Sequence, residues 1–262
     1  MKPSVLITGA SSGIGAATAR LLAERGFDVF GASRRPVGSG LRWIAMDVRS
    51  DESVERGVRE ALAAAGRLDA LVCCAGYGIF GSVEETPIAA ARQQFETNFF
   101  GVLRALRAVV PGMREARRGR IAVVGSLAGR APIPFQAHYS ATKAALDALT
   151  LALRSELHPF GVGVSLIEPG DIHTPFNDAM DWGEPGASAY AERARSAERA
   201  TRELLPRAPG PERVARAVHR ALTARRPRVR YTAGADALAV PLGRRLLPDA
   251  LMLRLIRARF RV

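Results

Sequence analysis

Tyr139 and Lys143 stand four residues apart in His138-Tyr139-Ser140-Ala141-Thr142-Lys143. A helix would put both side chains on one face. A free phenol titrates near pH 10, so work as a general acid or base near neutrality needs its pKa lowered by about 3 units, roughly 4 kcal/mol. An ammonium about 5 Å away supplies about 3.3 kcal/mol at an effective dielectric of about 20, and under about 1 kcal/mol in bulk water. The pair therefore predicts a partly dry pocket in which Tyr139 moves a proton. Ser126, thirteen positions earlier in Gly125-Ser126, would bring a second hydroxyl to the same oxygen.

The lysine stands out against the composition. Of 38 Lys and Arg residues only Lys2 and Lys143 are lysine, so the other 36 are arginine. A chain so biased places arginine wherever any cation serves, and Lys143 then marks a position that needs a compact ammonium.

Such side chains need a scaffold. Strand-like runs recur at Val5 to Thr8, Phe27 to Ala32, Leu41 to Met46, Leu68 to Cys74, Arg120 to Gly125, Val162 to Ile167 and Val229 to Thr232, each followed by a helical stretch. This alternation predicts an α/β chain with one doubly wound parallel sheet of about seven strands and helices on both faces. The longest helical patterns run from about Thr86 to Ala116 and from about Gln136 to Phe160. Residues 1–262 fit a single Rossmann domain. Residues 174–211, with five prolines and Arg/Glu-rich turns, read as a mobile lid over the substrate. Residues 234–262 read as a basic amphipathic tail.

In the first βα unit, Gly9, Gly13 and Gly15 with Ser11, Ser12 and Ile14 sit where backbone can approach a pyrophosphate at a helix N-terminus. The same glycines also suit a plain tight turn. The second strand ends Gly31-Ala32-Ser33-Arg34-Arg35 with no acid to bind a ribose 2′-hydroxyl, whereas two guanidiniums match a 2′-phosphate; this predicts NADP(H) over NAD(H). The competing account is two more surface arginines. Asp47-Val48, after the third strand, would contact adenine or cap the next helix. The positive charge of an oxidised nicotinamide would add to the acidification of Tyr139 in the alcohol-oxidising direction.

These residues together resemble the short-chain dehydrogenase/reductase family over nearly the whole chain. The resemblance rests on Gly9, Gly13 and Gly15, on Ala75-Gly76, on Asn98 in Asn98-Phe99-Phe100-Gly101, on Ser126, Tyr139 and Lys143, and on Pro169-Gly170 followed by Thr174. Three residues between Gly9 and Gly13 resemble the compact branch. Gly31 to Arg35 and the run from Arg230 to Asp236 resemble its hydroxysteroid and retinol dehydrogenase-like group. The resemblance implies an oxidoreductase interconverting an alcohol with a ketone or aldehyde. Tyr139 would be the acid/base, Ser126 would orient the substrate oxygen, and Lys143 would hold the nicotinamide ribose and lower the tyrosine pKa. Asn98 would position a relay water; a helix kink or a local backbone bond is the other role open to it. Pro169, Gly170, Ile172 and Thr174 would line the nicotinamide side. A non-catalytic NADP(H)-responsive regulator on the same fold is the alternative, which the intact Ser126, Tyr139 and Lys143 disfavour.

The family usually has asparagine before Ala-Gly, where this chain has Cys73-Cys74. Adjacent cysteines in an apolar run read as buried small hydrophobes, and Cys74, near the expected cofactor path, would expose activity to thiol reagents. Phe176, Met180, Trp182 and Tyr190 in the lid would line an apolar substrate pocket or pack the lid on its own domain. His138 and His173 are assigned to structure. The formal charge of +13 comes from arginines dispersed among acids without aromatic interleaving, which argues against nucleic-acid binding. The chain opens without leader flanks and lacks a spanning apolar run, so a soluble cytoplasmic protein is expected. The expected assembly is a homodimer or homotetramer through the two long helices, with a small-molecule alcohol or carbonyl as substrate. Leucines and arginines at helical spacing from Arg244 to Arg261 are read as docking on the domain or a partner subunit in preference to a membrane-surface helix.

Overall fold

The computed structural model describes residues 2–35, 37, 40–176, 180–182, 188–234 and 236–262. Seven strands form one parallel sheet: β1 (Ser4–Thr8), β2 (Asp28–Ser33), β3 (Arg42–Ala45), β4 (Ala70–Cys73), β5 (Gly119–Val124), β6 (Val162–Pro169) and β7 (Arg230–Ala233). Their order is β3-β2-β1-β4-β5-β6-β7, all seven where the sequence places strands. The chain winds outward from β1 to β3, then crosses to β4 and winds the other way, so the β1/β4 boundary is the topological switch point at which such sheets bind ligands.

Successive side chains of a strand point to opposite faces, and each face gathers its own helices. Leu6, Phe30, Leu71, Ile121, Val164 and Leu166 pack under α2 (Asp51–Ala65), α4 (Gly101–Glu115) and α5 (Ala137–Leu157). Val5, Ile7, Val29, Val72, Ala122 and Ile167 pack under α1 (Gly13–Glu24) and α7 (Glu212–Thr223). Between β4 and α4 runs α3 (Ile88–Phe95), joined to α4 by a π-helical turn at Glu96–Phe100.

The segment read as a lid contains a regular helix, α6 (Ala191–Leu204), whose buried residues are Ala191, Ala194, Ala197 and Ala200, a stripe of small side chains at every third position. Two further helices close the chain, α8 (Ala239–Leu246) and α9 (Asp249–Phe260). Met252, Ile256 and Phe260 of α9 join Ala194, Ala197, Met180 and Phe80 in a third apolar cluster. The docking expected of the tail is thus met by one face of α9. Among the described residues no helix is long and apolar enough to cross a membrane.

Candidate active site

The carboxyl ends of β1, β2, β4, β5 and β6 open into one cleft of about 820 Å³. At its β1–α1 end the backbone geometry demands glycine. Gly9 has φ +70° and a Cβ there would lie 2.7 Å from the backbone of Ala75; Gly13 has φ +51°; and a Cβ on Gly15 would lie 2.1 Å from the carbonyl oxygen of Gly9. The β1–α1 turn is therefore folded tightly against the strand and the loop after β4. Ser12 occupies the N-cap of α1 but its side chain makes no capping bond, and no acid stands in the first turn. The helix thus presents uncapped amides and the Ser11 and Ser12 hydroxyls to the cleft, a surface that fits an anion. Thr8 anchors the opposite wall by accepting from the amides of Cys74 (3.1 Å) and Ala75 (3.3 Å).

The two arginines after β2 separate. Arg34 lines the cleft whereas Arg35 does not. A second guanidinium comes instead from Arg49, which lines the cleft and holds Asp47 in a forked ion pair of 2.7 Å. The Arg49 hydrogen bond, aided by Arg34, keeps the Asp47 carboxyl below its ordinary pKa. Asp47 is not the helix cap either: Ser50 caps α2 by accepting from the Ser53 amide. Asp47 and Val48 remain in the cleft wall.

At the other end, Ser126 closes β5 in extended backbone (φ −169°), its oxygen accepting from the Ala128 amide at 3.1 Å and hydrogen-bonded to Tyr139. Tyr139 and Lys143 lie one turn apart on α5, with the Lys143 Nζ 5.5 Å from the centre of the Tyr139 ring. Lys143 is 7% exposed and donates to the Val124 carbonyl at 3.0 Å. Burial pulls its pKa down to about 8. Burial also pushes the Tyr139 phenol up to about 12, against the Ser126 hydrogen bond that lowers it. Among the chain's own groups, desolvation thus outweighs the Ser126 hydrogen bond.

Asn98 lies in the π turn, fully buried, and does not line the cleft. Its Oδ1 accepts from the Tyr77 amide (3.0 Å) while its Nδ2 donates to the Tyr77 carbonyl (2.9 Å) and to Thr142 Oγ1 (3.2 Å). Those bonds use both amide hydrogens, so the side chain clamps the loop after β4 to α5. π turns recur at functional sites.

Ala75, Gly76, Pro169, Gly170, Ile172 and Thr174 line the cleft as expected, with Ile14 and the glycines facing them. A side chain on Gly170 would strike Asp236 Oδ1 at 1.6 Å, which explains the glycine. Cys73 is buried, and Cys74 lines the cleft beside Lys143 with its thiol pushed up to about 12 by burial. Such a thiol offers little of the thiolate that thiol reagents need. Of the lid residues, Phe176 and Met180 line the cleft, with the Phe176 ring 5.7 Å from that of Tyr139. Trp182 and Tyr190 serve packing instead, Trp182 against Phe80 (5.1 Å) and Tyr190 by donating to Glu84 (2.9 Å). Neither His138 nor His173 lines the cleft. The cluster of α6 and α9 adds Leu255, Ile256 and Phe260 to its apolar mouth.

A feature absent from the sequence reading is Glu168, fully buried in β6 next to Pro169. Arg130 meets it with two bonds of 2.6 and 2.9 Å, and Arg230 with one of 3.1 Å; Arg230 also pairs with Asp147 of α5 at 2.6 Å. The network ties together the segment after Ser126, the end of β6, β7 and the helix of Tyr139. Its only sequence signal was a carboxylate in an otherwise apolar strand.

The sequence model of a family described as short chain dehydrogenase matches residues 3–184. A 3-ketodihydrosphingosine reductase of Bacteroides thetaiotaomicron is 43% identical over 182 residues, spanning 68% of this chain and 67% of that one. Estradiol 17-beta-dehydrogenase 1 of Rattus norvegicus is 36% identical over 251 residues, 87% of this chain and 72% of its own. The crystal structure of a short-chain dehydrogenase from Streptomyces avermitilis superposes with a TM-score of 0.84 at 33% identity, covering 97% of this chain and 96% of that one.

Proposed function

The chain belongs to the short-chain dehydrogenase family, oxidoreductases on an NAD(P)-binding fold, and from that premise we propose that it is an NADP(H)-dependent enzyme interconverting an apolar alcohol with its ketone or aldehyde. The observation that carries this reading is the meeting of Ser126, Tyr139 and Lys143 in the wall of one cleft whose far end is an uncapped helix N-terminus.

The cofactor, when bound, supplies or accepts the hydride. The amides and hydroxyls of residues 11–14 would hold its diphosphate, and Pro169, Gly170, Ile172 and Thr174 its nicotinamide side. Arg34, seconded by Arg49, supports NADP(H): both line the cleft, Arg49 pairs with the Asp47 carboxylate, and no acid stands in residues 34–40 after β2. Lys143, the ammonium beside Tyr139, would also hold the ribose. Tyr139 then stands over the substrate oxygen as a protonated phenol, and Ser126 orients that oxygen with its hydroxyl. A phenol raised to about 12 stays protonated at neutral pH and is a proton donor, which favours the carbonyl-reducing direction. Asn98 acts as a positioning residue through Tyr77. Phe176, Met180 and Ile256 give the mouth an apolar lining, in keeping with relatives named for a ketodihydrosphingosine and for estradiol.

We place the enzyme in the cytoplasm as a single domain with lid residues 174–211, self-associating as a dimer or tetramer through α4 and α5. Sedimentation velocity giving only monomer at micromolar concentration would remove that last element. The decisive assay is NADPH consumption across a panel of ketones, aldehydes and steroids, with Tyr139→Phe as control. The expected loss in Tyr139→Phe is on the order of 10²- to 10⁴-fold in kcat with NADPH binding retained; undiminished turnover ends the proposal.

A further inference from the structure

The last 25 residues carry an amphipathic surface that runs outward from the mouth of the cleft. On α8 and its N-cap, Leu238, Leu242 and Leu246 recur every four residues and are 83%, 57% and 66% exposed, while Leu251, Leu253 and Leu255 of α9 are 41–51% exposed. Only one face of α9, that of Met252, Ile256 and Phe260, is covered by the rest of the protein. Arginines are interleaved with the leucines: Arg244, Arg245, Arg254, Arg257, Arg259 and Arg261, against the single acid Asp249. Three are engaged, Arg244 with Asp249, Arg259 with Asp171 and Arg261 with Glu203. Arg245, Arg254 and Arg257 form no ion pair with any described residue.

This patch adjoins the cleft. Ala239, Gly243 and Leu247 of the α8 segment line the mouth, and at about 100° per residue Leu246 falls only about 20° around the helix from Ala239. The leucine stripe is therefore the outer continuation of the cleft's rim.

We propose that α8 and the exposed edge of α9 dock on an anionic lipid surface, the leucines entering the boundary between headgroups and acyl chains while Arg245, Arg254 and Arg257 meet lipid phosphates. Charge decides between this partner and a second copy of the chain. A two-fold contact through the patch would press the same unpaired arginines of two +13 chains together, whereas anionic headgroups complement them. Alternation of leucine with long cationic side chains is also the pattern of an interfacial helix, since arginine stems lie along apolar surface while their heads reach the phosphates. Docked this way, the cleft mouth faces the lipid.

The test is co-sedimentation of the intact protein with sucrose-loaded vesicles of phosphatidylcholine alone or with added phosphatidylserine. The expected result is pelleting with the anionic vesicles that weakens as salt rises. The triple variant Arg245→Gln/Arg254→Gln/Arg257→Gln should partition about 100-fold less, at about fivefold per arginine. Leu242→Glu/Leu246→Glu should lose at least about tenfold with an unchanged melting temperature, both positions being solvent-exposed. Equal partitioning into both vesicle types, or triple and wild-type proteins that bind alike, overturns the proposal. So does a dimer in sedimentation velocity that Leu242→Glu/Leu246→Glu dissociates while vesicles bind nothing, which would make the occupant a second copy.

Discussion

Replacing Lys143 with methionine removes the one buried ammonium of the cleft and keeps its length. Burial lowers this lysine from 10.5 to about 8, so the unfolded chain holds the proton more tightly than the folded one. The charged form therefore costs stability. The cost is complete below pH 8, shrinks between about pH 8 and 10.5, and is gone above that window, so this group makes the protein more stable as pH rises. A shift of that size corresponds to about 3 kcal/mol at pH 7 and under about 1 kcal/mol at pH 10. Methionine carries no such cost, but it leaves the Val124 carbonyl without the donor it has at 3.0 Å, a penalty of about 1–3 kcal/mol that does not depend on pH. Lys143→Met should therefore be nearly as stable as wild type at pH 7, yet wild type should gain on it by about 2 kcal/mol between pH 7 and 10. Urea unfolding of both proteins across that range measures the difference directly, because all other titrations cancel. Two parallel curves would refute the buried ammonium. Catalysis should move the opposite way: Lys143→Met is expected to be nearly inactive at every pH, and wild-type carbonyl reduction should fall above about pH 8 as the ammonium loses its proton.

Further expectations concern other walls of the cleft. Arg34→Asp should weaken NADPH about 10- to 100-fold, the loss of a charge-assisted bond, and leave NADH little changed; an unaltered preference in fluorescence titration removes Arg34 from the 2′-phosphate site. Iodoacetamide at neutral pH should leave turnover intact, since a thiol pushed to about 12 offers almost no thiolate; stoichiometric inhibition with labelling at Cys74 would contradict its burial. Glu168→Gln should destabilise by about 3–5 kcal/mol, because Arg130 and Arg230 lose their common buried counter-ion, and a melting temperature equal to wild type would show the network to be idle.

The fold was legible because the signals that fix it are local. Seven apolar runs, each bounded by turn residues, read directly as strands, and Gly9, Gly13 and Gly15 are required by positive φ or by contact with neighbouring backbone. What escaped depends on partners distant in sequence. Glu168 makes sense only once Arg130, 38 residues before it, and Arg230, 62 after it, have been brought beside it. Asn98 was singled out by family resemblance, whereas its bonds to Tyr77 and Thr142 become visible only once α5 packs on the π turn. The lid segment read as irregular because α6 buries alanines rather than large side chains, so its apolar stripe is faint beside its Arg and Glu.

The phenol shows most clearly why spacing alone misjudges chemistry. Four residues on a helix do bring Tyr139 and Lys143 together, and Coulomb attraction at an effective dielectric of about 20 is large enough to acidify the tyrosine. The dry pocket that makes this attraction strong also penalises both charges, raising the tyrosine to about 12 and dropping the lysine to about 8. The protein's own groups therefore rest at neutral pH as a neutral phenol beside a mostly charged amine, set to give a proton and reluctant to take one. Oxidation of an alcohol needs the phenolate, and in this cleft that form calls for additional positive charge close to the ring. Proton donation to a carbonyl needs no such help, so the single-turnover reductive rate should hold steady from pH 6 to about 8 while the oxidative rate climbs with pH. Stopped-flow measurement of each direction across pH 6 to 9 tests the contrast, and an oxidative rate independent of pH would show that the phenol is acidic after all.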